Sequence, residues 1–353
     1  MSSALIARAE HHGEQLTSAE IVALLHMSDP ADLAQLWQSA DRVRKSEAGD
    51  DIWLRGLLEF SNFCQCQCAY CGIRAGNNKI VRYRMSEEEI LSAAADLARA
   101  EIGTIVLQSG EDGWWTGERV ARLVVRLKDE HDLAVTLSLG DRTRQELALW
   151  KRAGADRYLL RFETSNPELY ARFHPDSTLA KRLETLSNLK DLGYDVGSGC
   201  LVGLPGQTVD DLAGDIMLGR DLELDMFGVG PFIPHPDTPL GMCPQGSTEM
   251  VYKMVALSRL VMRKVHIPIT TALATLDEDG REKGWQRGAN VVMPNATPAP
   301  YRQQYELYQN KRCIDDTLKH CRACLGGRIA RIGRHVGRGH GGSLRKGGVL
   351  AHE

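Results

Sequence analysis

No apolar run in this 353-residue chain approaches the ~18 residues that a membrane span needs. Residues 1–30 also lack the basic start, apolar core and small-residue cleavage site of a secretory signal. Neither a membrane protein nor an exported one is expected, and the expected compartment is the cytoplasm. Charge of one sign is equally scarce: 43 Lys and Arg stand against 46 Asp and Glu, a formal net charge of −3. No general affinity for nucleic acid or for an anionic membrane follows from that balance. Low-complexity linkers are missing from the central region, which speaks for one catalytic domain rather than two. Disulfides are a further expected absence, because the cytosol keeps thiols reduced; clustered cysteines among the nine then read as metal ligands.

Four of those cysteines, Cys64, Cys66, Cys68 and Cys71, fall within eight residues. Cys64, Cys68 and Cys71 form a C-x3-C-x2-C triplet with Tyr70 just before the last thiol, after an apolar run, 53–61, that reads as a buried strand. A cubane iron–sulfur cluster normally takes four cysteines, so three ligands leave one iron free to bind something else. Two other readings stand beside this one. A zinc site wants four ligands and usually a second C-x2-C or a His pair nearby, and no His pair follows at zinc-finger spacing; the grouping could also be incidental to a reactive loop. Cys66 stands outside the triplet, and Cys200 and Cys243 read as buried or incidental thiols.

Residues 1–50 carry helix-like apolar spacing (Ile21, Leu24, Leu25; Leu33, Leu36, Trp37), with Ser18 and Asp29 near plausible starts, and are expected to form two N-terminal helices. Beyond the cysteines, Ser86 and Glu89 make a capping-box pattern. Strand-like runs then recur at 103–108, 134–139, 157–161, 196–202, 226–232, 267–273 and 289–293, separated by helical stretches at 120–128, 146–153, 179–192, 209–222 and 252–265. With the strand before Cys64 this gives eight βα units and predicts an α/β fold, a TIM-type (β/α)8 barrel over residues 51–300, with an open doubly wound sheet as the alternative. Residues 301–353 form a C-terminal extension.

In such a barrel, polar and special residues gather at the C-terminal ends of the strands. They do so here: the cysteines, Ser109 to Asp112, Thr136 and Ser138, Arg157, Arg161 and Glu163, the Gly203–Thr208 segment, Gly230 to Asp237, Thr270 and Thr271, and Met293 to Asn295. Two arginines and a glutamate in one strand imply charged barrel contents, since barrel interiors are normally apolar.

The triplet in its setting (Phe60 to Arg74), Leu107 to Asp112, Val202 to Thr208 and Gly230 to Leu240 closely resemble the HydE-type [FeFe]-hydrogenase maturases of the radical S-adenosylmethionine (SAM) superfamily, from about residue 50 to the Cys-rich C-terminus. The triplet alone marks the superfamily, which includes biotin synthase and methylornithine synthase; the Gly230 segment and the Thr270–Thr271 and Ala289–Asn295 blocks make the resemblance specific. The resemblance implies that Cys64, Cys68 and Cys71 hold a [4Fe–4S] cluster whose open iron chelates SAM, and that an electron from the cluster breaks the sulfonium S–C5′ bond to give a 5′-deoxyadenosyl radical. It places Ser109, Gly110 and Glu111 along the methionyl amino group, Glu163 and Arg182 on the methionyl part, and Met226 on the adenosine side. It makes Thr136, Arg157, Arg161, Thr270, Thr271, Met293, Tyr305 and Tyr308 the lining of an anion-binding substrate cavity, and two arginines with hydroxyls suit a substrate bearing a carboxylate and anionic ligands. The implied substrate is a small iron–cysteinate carrying carbon monoxide and cyanide, on the way to the diiron site of the hydrogenase H-cluster. The implied partners are an electron donor such as ferredoxin or flavodoxin and other maturases. Phe162 stands where a His is associated with this family, which bears on substrate contacts there.

Cys313, Cys321 and Cys324 form a second, C-x7-C-x2-C set, matching one that in some HydE proteins binds a surface iron–sulfur cluster; a [2Fe–2S] or [4Fe–4S] cluster is expected, with zinc and His320 as a chemical alternative. The Gly-rich segment after Arg328 reads as a solvated tail or as a docking patch for an acidic partner. Two other functions remain beside the first: a methylornithine synthase-like mutase, and a zinc-binding interaction protein.

Overall fold

A computed structural model describes residues 2–312 and 317–346. Three helices open the chain, α1 (Ser2–His12), α2 (Ser18–Leu25) and α3 (Pro30–Ala48). The side chain of Thr17, one residue before the expected start, caps α2 in a box with Glu20, and Asp29 caps α3 with Pro30 in the first turn. The alternating part runs β1 (Asp51–Leu54), β2 (Gly56–Ser61), α4 (Glu87–Arg99), β3 (Thr104–Ser109), α5 (Gly117–Glu130), β4 (Ala134–Ser138), α6 (Arg144–Arg152) and β5 (Arg157–Leu159). It continues through α7 (Pro167–Phe173), α8 (Leu179–Asp191), β6 (Asp195–Val202), α9 (Val209–Asp221), β7 (Met226–Pro231), α10 (Thr248–Met262) and β8 (Pro268–Ile269). Then follow α11 (Thr271–Leu276), α12 (Gly280–Trp285), β9 (Val291–Val292), α13 (Ala299–Arg302), α14 (Leu318–Arg331) and β10 (His335–Val336).

Every strand pairing is parallel. β1 and β2 are successive segments of one strand broken at Arg55; β1 pairs with β9 and β2 with β3. Beyond β9 the chain still follows β2, with Leu57 N donating to Pro294 O at 2.8 Å and Ala296 N to Leu57 O at 2.7 Å. The ring β2–β3–β4–β5–β6–β7–β8–β9–β1 therefore returns to its starting strand as a (β/α) TIM-type barrel, uneven because β8 and β9 are two residues each. β6 and β7 lie close together: a Cβ on Gly199 would stand 2.0 Å from the Gly228 carbonyl oxygen, so only glycine allows this approach.

The core lies between the ring and its outer helices, where Trp115, Trp150 and Trp285 are fully buried. The amphipathic helices take their places through well-formed N-caps, including capping boxes at Ser86/Glu89, Thr143/Glu146 and Thr208/Asp211. No helix among the described residues is long and apolar enough to cross a membrane.

The structure differs from the sequence reading in three places. The N-terminal region holds three helices rather than two, α1 preceding the pair expected from Ser18 and Asp29. The run 267–273 is a two-residue strand, after which the Thr270 hydroxyl accepts from Leu273 N and starts α11. The C-terminal segment through residue 346 is packed on the barrel rather than solvated. β10 pairs with β1, Arg157 Nη2 donates to His340 O (2.8 Å) and Gly341 O (3.1 Å), Arg55 Nη2 donates to Gly341 O (3.2 Å), and Ser343 bonds Asp225. Arg55, Arg157, Asp195 and Asp225 stand at the beginnings of strands or at the break between them, so this segment closes the barrel at the end opposite the cysteines.

Candidate active site

The cysteines occupy the loop that leaves β2. Backbone bonds to three neighbours fix that loop: Gln65 N donates to Glu111 O (3.1 Å), Ala69 N to Phe173 O (2.9 Å) and Gly72 N to Leu307 O (3.0 Å). Gly110 lets β3 end against it, since a Cβ there would lie 2.6 Å from Cys64 Cβ and 2.3 Å from Phe63 O. Cys64, Cys66, Cys68 and Cys71 are all partly buried free thiols. Hydrogen bonding from the Cys66 thiol lowers the Cys64 pKa to about 7, although burial opposes this. Burial, with the neighbouring thiols, pushes the Cys68 pKa up and that of Cys71 to about 12. Among the described residues no three His, Cys, Asp or Glu side chains meet closely enough to share one metal ion. A cubane makes a different demand, one thiolate on each of three irons.

Burial holds the His174 imidazole neutral, its pKa lowered to about 4; its Nδ1 donates to Tyr170 O at 3.0 Å, so Tyr70 inside the triplet donates to its Nε2 at 2.8 Å. On the solvent side, Cys66, Cys68, Glu111, Asp141, His174 and Arg182 share a cleft of about 290 Å³. Arg182 from α8 pairs with Asp141 at 3.1 Å and donates to Arg161 O at 3.0 Å. Burial alone would lower the Arg182 pKa, but Asp141, Tyr170 and Glu111 outweigh it and raise it. The carboxylate of Glu111 accepts from Asp141 N at 2.9 Å, and Ser109 Oγ donates to Gly110 O at 2.7 Å.

Inside the ring at the same end lies a cavity of about 250 Å³. Cys71, Arg161, Glu163, Met226, Thr270, Thr271, Met293 and Tyr308 line it, with Glu59, Tyr70, Leu307 and Lys311. Glu163 sits at φ 63°, a backbone conformation non-glycine residues rarely adopt, and pairs with Arg161 at 2.9 Å. Burial raises its pKa against the lowering effect of Arg161 and Arg182. Arg161 Nη2 also donates to Cys200 O at 2.6 Å. Behind Arg161 and Glu163, buried Asp215 accepts from Ser165 N at 2.5 Å.

Residues 58–218 match the Radical SAM superfamily profile. The "[FeFe] hydrogenase maturase subunit HydE" of Thermotoga maritima is 44% identical over 331 residues, 94% of this chain and 95% of that protein. The chain belongs to the HydE family of radical SAM enzymes. It is also similar to the "3-methylornithine synthase" of Methanosarcina acetivorans, at 30% identity over 79% of each chain. A solved methylornithine synthase (PylB) shares its fold with a TM-score of 0.84 at 26% identity, over 95% of this chain and 97% of that one.

The family implies a [4Fe–4S] cluster and SAM, and this HydE-type site suits both. One loop brings four free thiols together, Cys64, Cys66, Cys68 and Cys71. Asp141 Oδ1, Arg161 Nε and Arg182 Nε are buried without hydrogen-bond partners, leftover capacity that suits the zwitterionic end of an amino acid.

Of the residues read from the sequence as substrate-cavity lining, the structure gathers Arg161, Thr270, Thr271, Met293 and Tyr308 in the cavity. Thr136 and Arg157 instead line a small chamber with Arg55, Asp195, Asp225, His266 and Ser343, and Met226 borders both spaces. Tyr305 is buried, its hydroxyl accepting from Gln108 Nε2 at 3.3 Å. Phe162 is fully buried against Phe227 and lines neither space. Cys321 is buried and Cys324 exposed on α14, while Cys313 lies outside the described residues. Asp141, His174, Glu59 and Lys311 escaped the sequence reading. Asp141 follows β4 and strand-end position could have found it, and Glu59 is a carboxylate inside an apolar strand, the same signal read at Arg157 to Glu163; His174 and Lys311 are joined to the site by contacts between distant segments, for which the sequence carries no local signal.

Proposed function

We propose that this HydE-family enzyme matures an [FeFe]-hydrogenase, acting on a small iron–cysteinate that carries carbon monoxide and cyanide, as a precursor of the H-cluster diiron site. The observation that carries this reading is the cavity directly inside Cys71, which offers Arg161, Thr270, Thr271 and Lys311 to an anionic ligand. A [4Fe–4S] cluster with SAM would supply reductive cleavage of the sulfonium to a 5′-deoxyadenosyl radical. Cys64, Cys68 and Cys71 would hold the cluster, and Glu111, Glu163 and Arg182 would orient the methionyl end. The barrel walls and the packed segment 337–346 would keep water from the reacting centre. The C-terminal cysteines would hold a second iron–sulfur cluster, and a cytoplasmic ferredoxin or flavodoxin would supply electrons.

The test is an anaerobic assay of the reduced, cluster-loaded protein with SAM and a synthetic cysteine–iron dicarbonyl cyanide complex. Consumption of that complex with one equivalent of SAM cleaved to methionine supports the reading; an unchanged complex refutes it. The similarity to methylornithine synthases supports a second reading, isomerisation of lysine. The same assay with lysine in place of the complex separates the two, because a single protein should turn over one of them.

A further inference from the structure

Glu59 and Lys311 form a buried ion pair on the cavity wall. Lys311 Nζ contacts Glu59 Oε1, and the side chains are 7% and 1% exposed. The other carboxylate oxygen of Glu59 accepts from Asn295 Nδ2 at 3.0 Å, so the carboxylate is held from two sides. Glu59 belongs to β2, the strand that delivers the cysteines, and Lys311 to the C-terminal segment; both line the cavity.

An ammonium has three N–H donors, and the contact with Glu59 accounts for one. The Tyr305 ring lies 5.5 Å from Nζ and takes none of them as a hydrogen bond. The other cation lining the cavity among the described residues is Arg161, whose Nη2 pairs with Glu163 and donates to the Cys200 carbonyl while its Nε has no partner. The Thr270 hydroxyl caps α11 as an acceptor and keeps its own proton to donate, and the Gln108 amide gives one of its two N–H groups to Tyr305. Lys311 thus brings a cationic donor with N–H groups to spare from the C-terminal segment to the cavity, beside the spare Nε–H of Arg161. Burying two ions costs desolvation that an apolar pair of similar volume avoids. That cost has a use when a ligand accepts the remaining N–H groups.

We propose that Lys311 determines substrate specificity by donating a charge-assisted hydrogen bond to an anionic group of the substrate, with Glu59 holding the ammonium in place. This rests on the function proposed above, in which the anionic group is the cysteinyl carboxylate or a cyanide nitrogen on iron. The ring of strands then supplies one charged wall and the C-terminal segment the other, so the barrel alone does not complete the site.

The experiment is equilibrium binding of the cysteine–iron dicarbonyl cyanide complex to the cluster-loaded, SAM-bound protein, read by infrared spectroscopy. Lys311→Met should raise Kd about 10- to 100-fold, the loss expected for one hydrogen bond to a charged group, and leave SAM affinity unchanged. Lys311→Arg should keep most of the affinity. The double variant Glu59→Gln/Lys311→Met carries no unpaired buried carboxylate, so it guards against misfolding and should show the same weakened binding. A shift of the cyanide stretch on Lys311→Met identifies the cyanide as acceptor; loss of the Lys311 effect with the carboxylate-free cysteamine complex identifies the carboxylate. Wild-type affinity in Lys311→Met, or its recovery in the double variant, overturns the proposal while leaving the maturase reading intact. Failure of the wild-type protein to bind the complex overturns both.

Discussion

The guanidinium of Arg182 lies 3.1 Å from the Asp141 carboxylate and reaches the carbonyl of Arg161 at 3.0 Å, which ties α8 to the ends of β4 and β5 beside the cysteine loop. One oxygen of Asp141 and the Nε of Arg182 are left without partners, so the pair is braced yet still has capacity for a ligand. Arg182→Ala is expected to weaken SAM binding about 10- to 100-fold, the range for a lost hydrogen bond to a charged group, with iron content unchanged. Calorimetric titration alongside iron analysis checks this; wild-type affinity would remove Arg182 from the cofactor site.

The triplet and Cys66 should behave differently on substitution. Alanine at Cys64, Cys68 or Cys71 leaves the cubane short of a ligand and should abolish SAM cleavage, measured as 5′-deoxyadenosine release. Cys66→Ala should retain cleavage, since the Cys66 thiol hydrogen-bonds Cys64 and stands outside the triplet. Full activity in Cys68→Ala would defeat the assignment.

The two cysteine sets should be separable. Cys321 and Cys324 sit on α14, beyond the last barrel strand, and no step assigned to the cavity needs them. Replacing Cys313, Cys321 and Cys324 together by Ala should remove part of the bound iron and leave SAM cleavage largely intact. A folded triple variant that has lost most of its activity would favour an electron relay through the second set.

Asp215 should leave a signature in the pH dependence of stability. Burial raises its pKa from 3.8 to about 8, despite the bonds from Ser165. The folded protein therefore keeps a proton there that the unfolded chain gives up, and the stability linked to it is complete below about pH 4 and lost as pH rises through about 8. Asp215→Asn keeps the acceptor for Ser165 N and cannot ionise, so it should flatten that part of the decline. Urea unfolding midpoints between pH 4 and pH 9 give the comparison; parallel curves for the two proteins would show that Asp215 is ionised in the fold.

The cysteine loop, the strand–helix alternation and the capping boxes are written in neighbouring residues, and the sequence by itself determined them. A strand has period two, a helix about 3.6, and a capping box spans four residues, so each is set by short-range sterics and hydrogen bonding. Even there, local signals misplaced one element: 267–273 reads as a continuous strand, yet the Thr270 hydroxyl turns it into a helix after two strand residues. Which polar groups share a chamber was decided only when the ring closed. Arg157 and Arg161 are four residues apart on one chain segment, but one begins a strand and the other follows its end, so they face different spaces on either side of Met226. Glu59 and Lys311 are 252 residues apart and meet because β2 and the C-terminal segment bound the same cavity. The Gly-rich terminus reads as solvated on composition, yet its carbonyls find partners in Arg55, Arg157, Thr104 and His266, buried groups whose positions the barrel itself creates.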